Sequence, residues 1–174
     1  CDARELWKLP PRQYDSVYCS HNLEHYHRHD AEKVLKGIRT VIKKNGFILI
    51  RVPDFKSVTE QMLEQKLDID DVLYESPSGP ILVRDVFWGW HVEIENSGND
   101  FFAHKTGFTS KSLKTFLEAN GYCSVNVWVN KDCYELLAIA FISAGYDNAL
   151  NDLIIALGLD SSNYKCEERC ECLL

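Results

Sequence analysis

The 174 residues read as an α/β domain, and three stretches say so. From Tyr14 to Asp54 a short apolar strand, a periodic helix and a second strand follow one another. Phe47 to Val52 is apolar except for Arg51, the composition of a strand buried on both faces. From Thr109 to Ile142 a helix leads into two further strand patterns, a second and independent unit.

The elements follow in order. Tyr14–Ser20 is a short apolar strand that ends in small and polar residues. Ala31, Val34, Leu35, Ile38, Val41 and Ile42 recur at helical spacing. Asp30 suits the start of that helix, Lys43 and Lys44 its last turn, and Asn45-Gly46 its end. A strand, helix and strand over about 40 residues form a βαβ unit, which crosses over right-handed into a parallel pair. After Pro53, either Asp54 or Ser57 can start a helix carrying Phe55, Val58, Met62, Leu63 and Leu67. Ser57 and Glu60 have capping-box spacing.

Residues 68–107 form an aromatic-rich insertion with a turn cluster, Ser76 to Pro80, and no sustained period. A connection of that length in a compact domain is functional or mobile. Thr109 then caps a helix with Phe108 and Leu113 as a hydrophobic staple, and Gly121 ends it. Residues 123–130 alternate as a half-buried strand, Asn130 to Asp132 turns, and Tyr134–Ile142 is a more apolar strand. Residues 145–174 read as a helical extension with Asp147 at its start, then a disordered tail holding Cys166, Cys170 and Cys172. The domain proper is residues 1–144.

Composition bounds the function. A hydrophobic content of 45% is that of an ordinary globular protein. The net charge of −7 and the lack of a Lys/Arg cluster argue against a nucleic-acid partner. No apolar run is long enough for a membrane span and no leader peptide is visible, so no membrane partner is expected. Seven cysteines, an odd number, read as free thiols in a reducing, cytoplasmic setting.

Four of the six histidines fall in residues 20–29. Ser20 and His21 lie at the carboxyl end of the first strand, where open α/β sheets place ligands. His21, Glu24 and His25 match H-x-x-E-H, but the pattern sits in a short connection rather than on a long helix, so no metal is expected.

The pieces Tyr14-Asp15-Ser16-Val17, Leu23-Glu24-His25, Asn45-Gly46 and Val52-Pro53-Asp54, in this order and spacing, resemble the second half of a class I S-adenosylmethionine-dependent methyltransferase. The resemblance covers roughly residues 2–142. It implies a partial three-layer Rossmann-like fold, with a mostly parallel sheet closed by one antiparallel strand, and S-adenosylmethionine as cofactor. It also implies adenine contacts at Asp2 and Ala3, with Leu9-Pro10 matching the family's next residues, and further cofactor contacts at Ser20 and His21. The Leu23–His25 turn then lies beside the methyl-transfer site, with His25 or His21 as the base and His91 or His104 as alternatives should the insertion fold over it. The insertion covers the pocket of a small-molecule acceptor, which makes Asp54, Trp88, His91 and His104 the acceptor contacts, with Trp90, Phe101 and Phe102 further candidates.

The family's G-x-G-x-G turn is not among these residues, whose nine glycines are scattered. The chain is therefore expected to be part of a longer enzyme, to bind the cofactor weakly, and to be inactive alone. The rival reading is a non-catalytic binding or assembly domain on the same fold. Without a neighbour, strand 14–20 exposes an edge, and a homodimer is expected to cover it.

Overall fold

A computed structural model describes residues 2–130 and 132–168. Cys1, Lys131, the Asp147 side chain and residues 169–174, which include Cys170 and Cys172, lie outside the described residues. A 3₁₀ turn, Ala3–Lys8, precedes β1 (Tyr14–Ser20), α1 (Arg28–Val41), β2 (Ile42–Pro53) and α2 (Phe55–Gln65). The insertion then forms β3 (Val72–Ser76), β4 (Gly79–Leu82), α3 (Val83–Trp88) and α4 (His91–Ser97). The chain closes with α5 (Ser110–Ala119), β5 (Cys123–Asn130), β6 (Glu135–Phe141), α6 (Asp147–Ala156) and β7 (Tyr164–Glu168).

The main sheet has the order β1-β2-β6-β5-β7. β1 runs parallel to β2, and β6 lies beside β2 and antiparallel to β5, as the sequence predicts; β6 is also antiparallel to β2. The expected mostly parallel sheet holds only for β1–β2. β6 runs against both of its neighbours and β7 adds a third antiparallel pairing. Three layers result. α1 and α5 pack their apolar stripes (Val34, Leu35, Ile38; Leu113, Phe116, Leu117) onto one face through Ile48, Ile50 and Val127. On the other face α6 sets Leu150, Leu153 and Ile154 against Trp128, Leu137, Ile139 and Phe141. This cover buries β5 on both faces from Val125 onward, where alternation predicts a half-buried strand.

Three boundaries differ from expectation for local reasons. α1 starts at Arg28 rather than at Asp30, because the His27 carbonyl already accepts from Asp30 and Ala31. Asp30 instead sits in the first turn against Lys33 at 2.8 Å. The helix stops at Val41, since Ile42 is extended and pairs with Tyr14. Lys43 to Gly46 then loop out as a bulge within β2 rather than completing the helix. Gly46 is required there: a Cβ would lie 2.5 Å from the Asp15 carbonyl oxygen. Lastly, residues 164–168 are not a tail but an edge strand on β5, which half-buries Cys166. Among the described residues four cysteines are free thiols, and no helix is long and apolar enough to cross a membrane.

Candidate active site

The site grows from the carboxyl end of β1. The His21 amide still bonds to the Arg51 carbonyl at 3.0 Å, continuing the ladder, but its φ of 45° then turns the chain sharply. A non-glycine residue in that region carries strain of about 1–3 kcal/mol, which persists only where the surroundings enforce it. Leu23–His25 forms a 3₁₀ turn, with Leu23 buried as its anchor. The end of the insertion clamps this turn from outside. The Glu24 carbonyl accepts from the Lys105 and Thr106 amides at 2.7 and 3.1 Å, and the Thr106 hydroxyl donates to the Tyr26 carbonyl at 2.7 Å. Gly89 permits the clamp. Its φ is 98°, and a Cβ there would lie 2.0 Å from the Phe102 carbonyl oxygen.

Four side chains converge on this turn. Glu24 is 0% exposed, and neither of its carboxylate oxygens has a hydrogen-bond partner. His21 Nδ1 stands 3.3 Å from Glu24 Oε1, an electrostatic contact rather than an aligned hydrogen bond, while its Nε2 bonds to Glu135 Oε1 at 2.7 Å. The Glu135 hydrogen bond first, and Glu24 second, raise the His21 pKa to about 10. His21 is thus an imidazolium at neutral pH and holds no lone pair for proton abstraction, contrary to the base role expected of it. His25 directs Nδ1 at the Ala103 carbonyl, at 3.2 Å, and His104 directs Nδ1 at the Val86 carbonyl, at 2.8 Å. In those tautomers each ring keeps an Nε2 lone pair. The two rings meet edge to face, 5.0 Å apart, and Phe101 stacks on His25. Burial holds the His104 pKa below its ordinary value, so that ring is neutral.

Two cavities approach across this ring pair. One, of about 480 Å³, is lined by His21, Tyr74, Trp90, His104 and Glu135 among others. The second, of about 620 Å³, is lined by Asp2, Ala3, Asn22, His25 and Phe101 among others. Asp2 and Ala3 therefore reach the same hollow as His25. In this structure the Asp2 carboxylate caps the Ala3–Lys8 turn and pairs with Arg4 at 2.6 Å, which lowers its pKa to about 2. Ser20 lines neither cavity. With Arg51, it holds the Tyr18 phenol below its ordinary pKa.

Of the residues predicted to meet an acceptor, His104 and Trp90 line the smaller cavity. Trp88 is 53% exposed and supplies its carbonyl to the His104 amide. His91 pairs with Glu95 at 3.3 Å, and its neighbour Trp90 takes the place at the cavity. Asp54 is buried, but its carboxylate is spent on the α2 N-terminus, accepting from the Lys56 amide at 3.1 Å and the Ser57 hydroxyl at 2.5 Å. Glu135 and Arg51 were not singled out as site residues. They form an ion pair of 2.8 Å on neighbouring strands, and Glu135 holds His21 through its other oxygen. The signal for them is a single charge in each of two otherwise apolar runs, residues 47–52 and 135–141.

Residues 1–50 match a family model described as a methyltransferase domain. No curated protein matches the chain. Among solved structures, a Pyrococcus horikoshii protein superposes with a TM-score of 0.50 at 14% identity, over 81% of this chain and 57% of that one. The 1,6-didemethyltoxoflavin-N1-methyltransferase of Burkholderia thailandensis gives a TM-score of 0.48 at 17% identity, over 80% and 48%. Human N-acetylserotonin methyltransferase gives 0.47 at 15% identity, over 80% and 32%. The chain thus spans a third to just over half of these proteins. Over residues 1–50 the chain is similar to a methyltransferase domain, and its described residues share an α/β fold with the Pyrococcus horikoshii protein.

Proposed function

We propose that the protein takes part in methyl transfer from S-adenosylmethionine to a small-molecule acceptor. The observation that carries this is the approach of the two cavities across the His25–His104 pair, rings 5.0 Å apart. The larger hollow fits the adenosyl end of the cofactor, with Ala3, Asn22 and His25 on its wall and Asp2 available to an adenine amine once released from Arg4. The cofactor, when bound, supplies a methyl group already activated on a sulfonium.

The chain's own residues then have three tasks. Trp90 and Tyr74 give the acceptor an apolar, aromatic wall, and water exclusion there strengthens each polar contact. His21, cationic and fixed between two carboxylates, donates hydrogen bonds and holds the acceptor side of the turn in place. His104 offers a neutral Nε2 lone pair in the acceptor cavity and takes the acceptor's proton, with its Nδ1–H anchored on Val86. Methyl transfer needs mainly alignment of donor and acceptor, which the clamped turn provides.

The test is label transfer. The chain is incubated with millimolar methyl-labelled cofactor and a set of phenols, aromatic amines and thiols. Slow label uptake by one acceptor class that is lost in His104→Ala supports the reading. Uptake indifferent to that change removes His104 from it.

The exposed β1 edge and the 60% exposed Tyr18 on it favour a second copy of this chain as partner. The free thiols fit a cytoplasmic setting.

A further inference from the structure

We propose that Glu24, His25 and His104 form a binding site for one divalent first-row transition-metal ion, of which zinc is the best probe. One ligand atom from each residue lies within 4.8 Å of the others. Proximity alone would carry little, but two further observations point to a cation.

The first is the state of Glu24. Its side chain is wholly buried, neither oxygen has an aligned hydrogen-bond partner, and the His21 cation 3.3 Å from Oε1 is shared with Glu135, which holds it more closely at 2.7 Å. A buried carboxylate is costly unless it is paired or coordinates a metal. The Glu24 main chain is fixed by two amides from the insertion, so the carboxylate cannot turn to solvent without undoing the clamp.

The second is the orientation of the two histidines. Each directs Nδ1 at a backbone carbonyl, Ala103 for His25 and Val86 for His104. Metal-ligating histidines are held in this way: the outer hydrogen bond fixes the tautomer and leaves the other nitrogen to the ion. Both carbonyls belong to the insertion, so the segment that closes over the turn also presets its two imidazoles.

The donor set is two neutral nitrogens and one carboxylate oxygen. It suits zinc and the ions near it in the first row, rather than soft ions that need thiolates or hard ones that need an oxygen cage. Three protein ligands leave a coordination position open. His104 lines the smaller cavity, so an acceptor hydroxyl or thiol entering there can take that position. The ion would then occupy the lone pair assigned above to proton abstraction, and would acidify the acceptor directly. Metal binding itself does not depend on the methyl-transfer reading and is measured without cofactor or acceptor. The ligand set also differs from the H-x-x-E-H pattern of the sequence: His21 is engaged by Glu135, and His104, 79 positions beyond His25, takes its place.

The experiment is titration of the chelator-treated chain with zinc alone by calorimetry, followed by cobalt(II) substitution read by visible absorption. One ion per chain is expected, with affinity lowered at least about tenfold in the isosteric Glu24→Gln and in His104→Ala. The cobalt spectrum is expected to show d–d bands without a thiolate charge-transfer band. Circular dichroism establishes that each variant is folded, and His25→Ala is the substitute for one that is not. No stoichiometric zinc binding overturns the proposal. So does binding that survives both substitutions, and so does a thiolate charge-transfer band, which would assign the ion to cysteines.

Discussion

Gly89→Ala separates a built clamp from a passive loop. Gly89 has φ 98° and ψ 170°, a region that residues with a Cβ avoid, and holding alanine there costs about 1–3 kcal/mol. The new methyl group would also meet three backbone atoms: the Phe102 oxygen at 2.0 Å, the Ala103 Cα at 2.8 Å and the His104 nitrogen at 2.9 Å. Backbone cannot escape by changing rotamer, so segments 88–89 and 102–104 must part. That breaks the 3.0 Å bond from the His104 amide to the Trp88 carbonyl and loosens the Lys105 bond to Glu24. A local destabilisation of about 2–3 kcal/mol lowers hydrogen-exchange protection by about 30- to 150-fold. The loss should be confined to the His104, Lys105 and Thr106 amides, with β2 and β6 unchanged. Gly98→Ala is the control: φ is 64° and nothing lies within 4 Å, so it carries backbone strain alone. Unchanged protection at His104 and Lys105 in Gly89→Ala would refute the clamp.

Three other expectations follow from the same structure. Asp54→Ala should cost about 1–2 kcal/mol in urea denaturation through loss of the α2 cap, whereas Asp54→Asn retains it. Burial raises the Asp54 pKa, so its favourable contribution is complete below the ordinary value of 3.8 and is lost as pH rises through the folded value; wild type should therefore fall behind Asp54→Asn on going from acid to neutral pH. Burial pushes the Cys19 thiol up to about 12, so in native protein at mildly alkaline pH iodoacetamide should modify exposed Cys123 and spare Cys19, as read by peptide mass spectrometry. Light scattering on a size-exclusion column should give twice the 20.0 kDa chain mass, and a monomer at micromolar concentration would show that the β1 edge is not paired.

Much of the fold was legible because its signals are local. The 3.6-residue stripe of α1, the apolar run of β2 and the Thr109 cap of α5 each belong to one segment, and each specifies its element without help from afar. β5 was less so: its second face is buried by α6 and Leu159, partners that no alternation within β5 announces. β7 was missed because a short polar edge strand carries no apolar pattern of its own. The insertion escaped assignment for a related reason. It is a hairpin and two short helices held by Asp85, which bonds to the Leu82 and His91 amides, and by Gly89, so tertiary contacts rather than period define it.

At the candidate site, the histidine cluster marks a turn with a cavity on each side, one lined by Asp2, Ala3 and His25 and the other by His21 and His104. Which ring does what was not legible. The hydrogen bonding of His21 and His104 is set by Glu135 and by the Val86 carbonyl, 114 and 18 positions away. A distant carboxylate turns one imidazole into a fixed cation, and a nearby carbonyl with burial keeps the other neutral.

In the proposed function the hollow beside Asp2 receives the cofactor and the cavity beside Trp90 does not. The direct measurement is a backbone amide chemical-shift titration of the chain with S-adenosylhomocysteine into the millimolar range, which reads weak binding as well as tight. The account predicts shifts centred on Asp2–Arg4 and Asn22–Tyr26, with Tyr74 and Trp90 little affected. Shifts centred on Tyr74, Trp90 and Glu135, or none at Asp2–Arg4 at saturating ligand, would contradict it.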